Sequence, residues 1–155
     1  MNPRARRHIA ILQYNLNKNR ETTESVLNDK STSNYAVLLL QEQYWSKYTK
    51  SSPLHHSWTL IEPPAHEPHQ PKAIIYVNNT LLPPNTYEPV IFPTSNAIGI
   101  AIKLQDNSQL LAVNIYNAQQ NSPINTVFQY IQTHLSIRTY SMVLIAGDFN
   151  LHHPL

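Results

Sequence analysis

The hydrophobic positions of this chain fall into short runs separated by polar segments rich in Asn and Pro. Seven of the runs have the length and composition of β-strands: residues 8–14, 35–41, 58–61, 72–77, 97–104, 109–116 and 142–146. The runs 35–41 and 142–146 are apolar at consecutive positions, which predicts buried strands. The polar tetrapeptide 105–108 between two of the runs predicts a hairpin.

Helical signals occur at two places in the sequence. Residues Glu21–Asn28 place the acidic side chains Glu21 and Glu24 in a first turn, as favours a helix N-terminus. A clearer helix is predicted to begin with Ser122 as its N-cap and Pro123 as its first residue. Its apolar side chains recur at helical spacing and form one face for packing on a sheet: Ile124, Val127, Phe128, Ile131 and Leu135.

Strands therefore outnumber helices, and hairpins mix with helical crossovers along a chain of 155 residues, the length of one domain. This order favours a mixed-sheet α/β sandwich over a doubly wound parallel sheet, whose Gly-rich turn the sequence lacks. Residues 62–71, rich in Pro and His, are predicted to form an exposed loop. The domain is expected to span residues 9–155, after a basic tail at residues 1–8.

Composition narrows the possible chemistry. The absence of Cys excludes disulfides, thiol nucleophiles and cysteine zinc sites, so a metal would bind to oxygen or imidazole. No apolar run approaches the roughly 18 residues of a membrane span, and no signal peptide is evident, so we expect an intracellular protein. Five of the eleven Lys and Arg residues lie in the first twenty positions, which suits either binding to a polyanion or an exposed tail.

Candidate chemistry lies at the ends of the predicted strands. Asn15 follows the first strand, Glu42 follows the strand 35–41, and Asp148 and Asn150 follow the strand 142–146. Strand ends at one edge of a sheet can converge on a single site. A carboxylate attached to a buried strand costs desolvation free energy, which a divalent cation such as Mg²⁺ would offset. The alternative is that each acid caps its strand or pairs with a nearby Lys.

Four segments, each at a predicted strand end, carry a family resemblance. In order they are ILQYNLNKNR (11–20), LLLQEQYW (38–45), VNIYN (113–117) and LIAGDFN (144–150), the last followed by His-His-Pro. Together they resemble the motifs of the endonuclease/exonuclease/phosphatase family, especially the endonuclease domain of LINE-type (non-LTR) retrotransposons. The resemblance implies a four-layer α/β sandwich built on mixed sheets, Mg²⁺ or Mn²⁺ as cofactor, and nicking of target DNA in the nucleus.

The resemblance also implies roles for individual residues. Glu42 matches the glutamate that binds Mg²⁺, and Asn15 matches an asparagine that helps to hold metal and phosphate. Tyr116 matches a tyrosine near the scissile phosphate, Asp148 the aspartate that orients or activates the attacking water, and Asn150 an asparagine that binds a phosphate oxygen. Cleavage of a phosphodiester needs such a cation, neutral donors and an oriented water.

The resemblance covers only the first part of the family's domain. In the family, further strands and a closing Ser-Asp-His motif follow, so the domain is interpreted as C-terminally truncated. We therefore expect little or no cleavage by the chain alone. The remaining part of the domain, or a reverse transcriptase region, is an expected partner besides the DNA backbone. Two other functions stay open: a non-catalytic relict or nucleic-acid-binding module, and a phosphatase or phospholipase of the same family.

Other residues have simpler interpretations. His152 and His153 are interpreted as loop residues of the family pattern. The pair His66 and His69 has the spacing of metal ligands but lacks fixed third and fourth ligands, so a solvated loop is favoured. An aromatic cluster after Glu42 could stack on a nucleotide, although packing under a loop is the favoured interpretation: Tyr44, Trp45 and Tyr48.

Overall fold

Two four-stranded sheets form the centre of the computed structural model, which describes residues 8–64, 70–117, 122–135 and 139–150. The elements in chain order are β1 Ile11–Asn15, α1 Arg20–Asn28, β2 Val37–Gln41, β3 Trp58–Ile61, β4 Ala73–Asn78, β5 Tyr87–Ile91, β6 Ala97–Lys103, β7 Gln109–Tyr116, α2 Pro123–His134 and β8 Met142–Asp148. The basic residues of the tail and the pairs His66 with His69 and His152 with His153 lie outside the described residues.

Both sheets mix parallel and antiparallel pairing. The first sheet has the order β1-β2-β4-β3, and the second has the order β5-β6-β7-β8. The pairs β1 with β2 and β7 with β8 are parallel, whereas the remaining neighbours are antiparallel. The predicted hairpin joins β6 to β7. The mixed-sheet prediction is confirmed.

The layers follow from the alternation of side chains along the central strands. On β2, Val37 and Leu39 pack between the sheets, whereas Leu38 and Leu40 face outwards into a second core. Leu27 of α1 belongs to this second core. Val127 and Ile131 of α2 pack on the outer face of the other sheet. The order helix, sheet, sheet, helix is the four-layer sandwich that the resemblance implied. Neither helix is long and apolar enough to cross a bilayer.

The two helices occur where the sequence predicts them, with differences in detail. The Asn19 side chain caps α1 by accepting a hydrogen bond of 2.9 Å from the Thr22 amide. Ser122 is the N-cap of α2 and Pro123 its first residue, as predicted, but the backbone of Ser122 is left-handed (φ 36°) and its side chain makes no capping hydrogen bond. Phe128, predicted to pack on the sheet, is 46% exposed. Val127 and Ile131 form the buried stripe of α2.

The strand β5 was missed by the sequence analysis. Its sequence, YEPVI, contains Pro89 and lies in a segment with many prolines. Proline cannot donate a hydrogen bond to a neighbouring strand and is therefore restricted mainly to edge strands. In this structure β5 is the end strand of its sheet and pairs only with β6.

The predicted burial of the last strand is also wrong. Met142, Val143 and Leu144 of β8 are 59%, 40% and 38% exposed. Within the described residues β8 is the end strand of its sheet, and β1 is the end strand of the other. These two strands lie against each other, so both open edges are on the same side of the sandwich. Burial of this side would need further polypeptide.

A buried polar bridge joins the two sheets. Asn114 of β7 donates hydrogen bonds from its amide nitrogen to the carbonyl oxygens of Leu40 (2.8 Å) and Ile74 (2.7 Å), on β2 and β4. The Gln41 side chain donates to the Asn114 amide oxygen, and its own oxygen accepts from Gln13 of β1. Asn114 and Gln41 are fully buried. The bridge therefore fixes β7 against β2 and β4 at one end of the sandwich.

Replacement of Asn114 tests this bridge. Asn114→Ala would leave one N–H of the Gln41 amide without its acceptor and would remove one hydrogen bond from each of two buried carbonyl groups, so we expect a loss of about 2 to 4 kcal/mol in the free energy of unfolding. Urea unfolding followed by circular dichroism measures it. Asn125→Ala, on the exposed side of α2, is the matched control and should change stability by less than about 0.5 kcal/mol. Equal effects of the two variants would show that the bridge is not stabilising.

A buried phenol predicts the response of stability to alkaline pH. The Tyr76 hydroxyl donates a hydrogen bond of 2.6 Å to the Pro53 carbonyl oxygen. Burial, and secondly the charge of Glu62, raise the pKa of Tyr76 above its ordinary value. The unfolded chain therefore loses this proton at lower pH than the folded chain does, and the free energy of unfolding should fall as pH rises above about 10.

The variant Tyr76→Phe should lose about 1 kcal/mol at neutral pH, because it lacks the hydrogen bond. Its stability should then fall less steeply above about pH 10 than that of the wild type. Urea unfolding from neutral to alkaline pH measures both effects. Tyr48→Phe, at a side chain that is 99% exposed, is the control. Parallel pH profiles for wild type and Tyr76→Phe would contradict the assignment.

Candidate active site

One end of the sandwich collects the polar strand ends. The strands β1, β2, β7 and β8 end there, and the antiparallel strands β4 and β6 begin there. All five residues predicted from the sequence lie at this end: Asn15, Glu42, Tyr116, Asp148 and Asn150. The structure brings them together, and their individual roles stay predictions.

Asp148 is held at both oxygens of its carboxylate. Oδ2 accepts a hydrogen bond of 2.9 Å from the Asn15 side chain, and Oδ1 accepts one of 3.1 Å from the Asn150 amide. The preceding Gly147 has a φ of 147°, and a Cβ there would lie 1.8 Å from the Ile115 carbonyl oxygen. Only glycine therefore allows β8 to approach β7 in the way that delivers this carboxylate.

Asn15 has a defined orientation. Its side-chain oxygen accepts a hydrogen bond of 2.8 Å from the Asn17 amide, while its nitrogen donates to Asp148. Both partners support the same assignment of the amide oxygen and nitrogen, because each matches a donor with an acceptor. In this geometry Asn15 orients Asp148, and one lone pair of its oxygen is already used.

Glu42 is anchored through its backbone. Its amide donates a hydrogen bond of 2.9 Å to the Lys72 carbonyl oxygen, and its carbonyl oxygen accepts one of 2.6 Å from the Lys18 amide. The carboxylate lies 3.9 Å from the Lys18 ammonium, and the two side chains are 14% and 68% exposed. The exposed lysine offsets only part of the desolvation cost of placing this carboxylate in a shielded position.

Backbone strain is concentrated at the same end. Of the seven non-glycine residues with positive φ among those described, four lie here: Asn17 (49°), Lys18 (58°), Glu42 (48°) and Asn150 (44°). Such conformations cost free energy and persist where the surrounding structure enforces them, commonly at functional sites. The strain at Glu42 turns the chain sharply where β2 ends.

Tyr116 connects the two carboxylates. Its amide donates a hydrogen bond of 2.8 Å to the Asn96 carbonyl oxygen, which fixes the end of β7. Burial raises the pKa of the phenol above its ordinary value, and the charge of Glu42, a hydrogen bond to Glu42 and the charge of Asp148 raise it further. A hydrogen bond with Asn150 acts in the opposite direction. The phenol is therefore a neutral O–H donor at physiological pH.

Asn117 was not assigned a role from the sequence, although it ends the VNIYN segment. Its amide donates a hydrogen bond of 2.7 Å to the Asp148 carbonyl oxygen, and its side chain donates one of 2.8 Å to Phe149. The Asn150 side chain donates to the Asn117 carbonyl oxygen at 3.2 Å. Asn117 thus shapes the loop that carries Asp148 and Asn150. Its place directly after a buried strand was the available signal.

Lys72 was also missed. The predicted site residues lie at the C-terminal ends of strands, whereas the antiparallel strand β4 brings its N-terminal end to the same place. The Lys72 ammonium lies 4.9 Å from the centroid of the Tyr116 ring. Pairing of the run 72–77 with the run 35–41 in opposite directions was the signal that could have found it.

The donor atoms suit a hard divalent cation. Two carboxylates, Glu42 and Asp148, flank one phenol, and within the described ranges no cluster of three His, Cys, Asp or Glu residues has the geometry of a metal site. Mg²⁺ is commonly held by one or two carboxylates, with water and substrate phosphate as its other ligands. The Glu42 carboxylate is shielded from solvent and has its one ion pair among the described residues at 3.9 Å, so a cation would stabilise it. These oxygen donors are compatible with Mg²⁺, and Glu42 as its ligand stays a prediction.

The other candidates stand apart from this chemistry. The rings of His55 and His56 stack with centroids 4.4 Å apart, and burial followed by the charge of His56 lowers the pKa of His55. In the aromatic cluster, the Arg20 guanidinium lies 5.6 Å from the centroid of the Tyr44 ring. Packing under a loop is wrong for Tyr48, whose side chain is 99% exposed, because the loop carries it into solvent.

Several solved structures resemble the chain in fold, including two endonucleases. The first is the endonuclease domain of TRAS1, a telomere-specific non-LTR retrotransposon, with 17% sequence identity and a TM-score of 0.65 over 92% of this chain and 59% of that one. The second is the AP endonuclease LMAP from Leishmania major, with 13% identity and a TM-score of 0.60 over 91% of this chain and 55% of that one. The chain therefore spans less than two thirds of either protein.

No protein-family model matches the sequence, and no curated protein sequence matches it significantly. The evidence from relatives is therefore structural, and at these identities it concerns the fold. The chain has the mixed-sheet α/β sandwich fold of endonuclease/exonuclease/phosphatase-type proteins, as its four motifs indicated.

Proposed function

We propose that this chain carries the metal- and phosphate-binding part of a Mg²⁺-dependent DNA endonuclease that hydrolyses phosphodiester bonds. The observation that supports it most directly is the placement of two carboxylates, Glu42 and Asp148, beside the neutral phenol of Tyr116 at one end of the sandwich. Both structural neighbours are nucleases by description, which favours DNA over other phosphodiesters.

Glu42 is proposed to hold the cation. Its backbone is fixed on both sides, and its carboxylate is shielded from solvent without a close counterion among the described residues. A bound Mg²⁺ would supply Lewis-acid stabilisation of charge on the non-bridging phosphate oxygens. A rigid backbone at this residue keeps the carboxylate in place as a preorganised ligand, so little reorganisation is needed on binding.

Asp148 is proposed to orient and activate the attacking water. Each of its oxygens accepts one hydrogen bond from the protein, from Asn15 and from the Asn150 amide. A carboxylate oxygen has two lone pairs, so an acceptor position remains on each for a water molecule. The two protein donors fix the direction of these positions. Asn15 thus acts on the water through Asp148.

Tyr116 and Asn150 are proposed to bind the scissile phosphate. Their side chains are hydrogen-bonded to each other, which places a phenol O–H and an amide N–H side by side. When the Tyr116 hydroxyl, which is hydrogen-bonded to Glu42 in this structure, turns to the substrate, a phosphate oxygen can accept from both neutral donors as its negative charge increases in the transition state. The raised pKa of Tyr116 keeps its proton available at physiological pH.

Metal binding by Glu42 can be measured without turnover. Titration with Mn²⁺ followed by electron paramagnetic resonance, with Mg²⁺ as competitor, should detect one site in the wild type. Glu42→Gln should weaken binding by at least about tenfold, because a neutral amide replaces the anionic ligand. Glu88→Gln, at an exposed residue of β5, is the control. Undiminished Mn²⁺ binding by Glu42→Gln would remove Glu42 from the site.

Plasmid nicking tests the reaction. We expect at most slow, Mg²⁺-dependent nicking of supercoiled DNA by the chain, and any such nicking should fall by at least about 100-fold in Asp148→Asn, because the amide cannot accept a proton from water. Glu88→Gln should retain the wild-type rate.

Nicking that survives in Asp148→Asn would contradict the assigned site. Fast turnover by the wild type would contradict the expectation that this chain alone is weakly active. Parallel assays with phosphoinositide and sphingomyelin substrates separate a nuclease from a phosphatase or phospholipase, and hydrolysis of either in place of DNA would contradict the proposed substrate.

A further inference from the structure

Lys72 brings a positive charge to the candidate site from the N-terminal end of a strand, whereas the five predicted residues lie at the C-terminal ends of strands. It precedes β4, and its carbonyl oxygen accepts the hydrogen bond from the Glu42 amide. Its own amide donates to the Ser95 carbonyl oxygen at 3.4 Å. The backbone of Lys72 is thus tied to Glu42 on one side and, through Ser95, to the segment before β6 on the other. Its position relative to the carboxylates is therefore fixed by the fold.

The ammonium group of Lys72 faces an aromatic ring. It lies 4.9 Å from the centroid of Tyr116, within the distance of a cation–π interaction. Among the described residues, no ion pair within 4.0 Å joins Lys72 to a carboxylate, although Glu42 and Asp148 lie at the same end of the sandwich. The positive charge is therefore held over the phenol without neutralising either acid.

The two lysines near the candidate site differ in exposure and in the groups that they face. Lys18, the cation paired with Glu42, is 68% exposed and reaches the carboxylate only at 3.9 Å. Lys72 is partly buried, and its ammonium group lies over the Tyr116 ring. A substrate phosphate that accepts a hydrogen bond from the Tyr116 hydroxyl would come close to this ammonium. Lysine acts on phosphate as a point charge and does not need a fixed fork of donors.

We propose that Lys72 is a substrate-binding residue whose ammonium binds a backbone phosphate of DNA next to Tyr116. This role rests on the proposed function, since it assigns a contact to the same site. It adds a positive charge to a site whose predicted residues supply carboxylates, amides and a phenol. The Tyr116 ring keeps the ammonium near the phosphate position before DNA binds, which reduces the ordering needed on binding.

Salt-dependent DNA binding tests this role independently of cleavage. Binding of a fluorescein-labelled duplex is followed by fluorescence anisotropy between about 50 and 200 mM salt, where loss of one phosphate contact reduces the slope of log K against log salt by about 0.9. Lys72→Gln should show this reduced slope and weaker binding at low salt. Lys72→Arg, which keeps the charge, should restore the wild-type slope.

Lys103→Gln is the matched control, because Lys103 is exposed and lies at the hairpin end of β6, opposite the site. It should bind DNA with the wild-type slope. Thermal unfolding by circular dichroism should give the same midpoint for Lys72→Gln and wild type, which excludes a merely structural effect.

The outcomes separate the two proposals. A wild-type slope in Lys72→Gln, with DNA binding intact, would overturn the role of Lys72 and leave the proposed function standing. Absence of salt-dependent DNA binding by the wild-type chain would overturn the proposed function, and the role of Lys72 with it.

Discussion

The hydrogen bonds of Asn114 determine how the two sheets meet. A purely apolar interface between sheets tolerates small sliding movements, because dispersion and hydrophobic contacts have little directionality. Asn114 instead donates to carbonyl groups of both β2 and β4, and Gln41 donates back to it. Breaking this bridge would leave buried polar groups unpaired, so other alignments of the sheets are costly. Glu42 follows Gln41 and Tyr116 lies two residues beyond Asn114, so the bridge also fixes the distance between these side chains.

The residues of the bridge are part of a pattern that each strand ending at the site shows. Along each of these strands, apolar side chains between the sheets are followed by polar side chains near the site. On the faces that point between the sheets, Ile11 gives way to Gln13 and Asn15 on β1, and Leu39 gives way to Gln41 on β2. On β7, Ala112 is followed by Asn114 and then Tyr116, and on β8, Ala146 is followed by Asp148. Because side chains alternate with a period of two, this change from apolar to polar residues can be recognised in the sequence. The core thus becomes a polar site over one or two residues of each strand.

This pattern explains which features could be predicted from the sequence. Strands such as β2, β6 and β7 and the convergence of Asn15, Glu42 and Asp148 follow from local runs and from where those runs end. The strand β5 was not predicted, because Pro89 is typical of a loop and the strand is recognisable only from its pairing with β6. Lys72 escaped because its place depends on the antiparallel direction of β4, a tertiary property. Exposure of Met142 and Leu144 contradicts their hydrophobicity, since burial depends on what packs against them.

The open side of the sandwich affects the candidate site directly, because the edge strands on this side carry two of the site residues. The strands β1 and β8 end their sheets on this side, and they carry Asn15 and Asp148, whose side chains bond to each other across the gap between the sheets. Asp148 is therefore attached to the strand with the most exposed apolar residues, whereas Glu42 and Tyr116 follow fully buried strand cores. An edge strand opens more readily than a central one because fewer contacts must break. We therefore expect the position of Asp148 to depend more than that of Glu42 on polypeptide that covers β1 and β8. This chain spans 59% and 55% of the two structural neighbours.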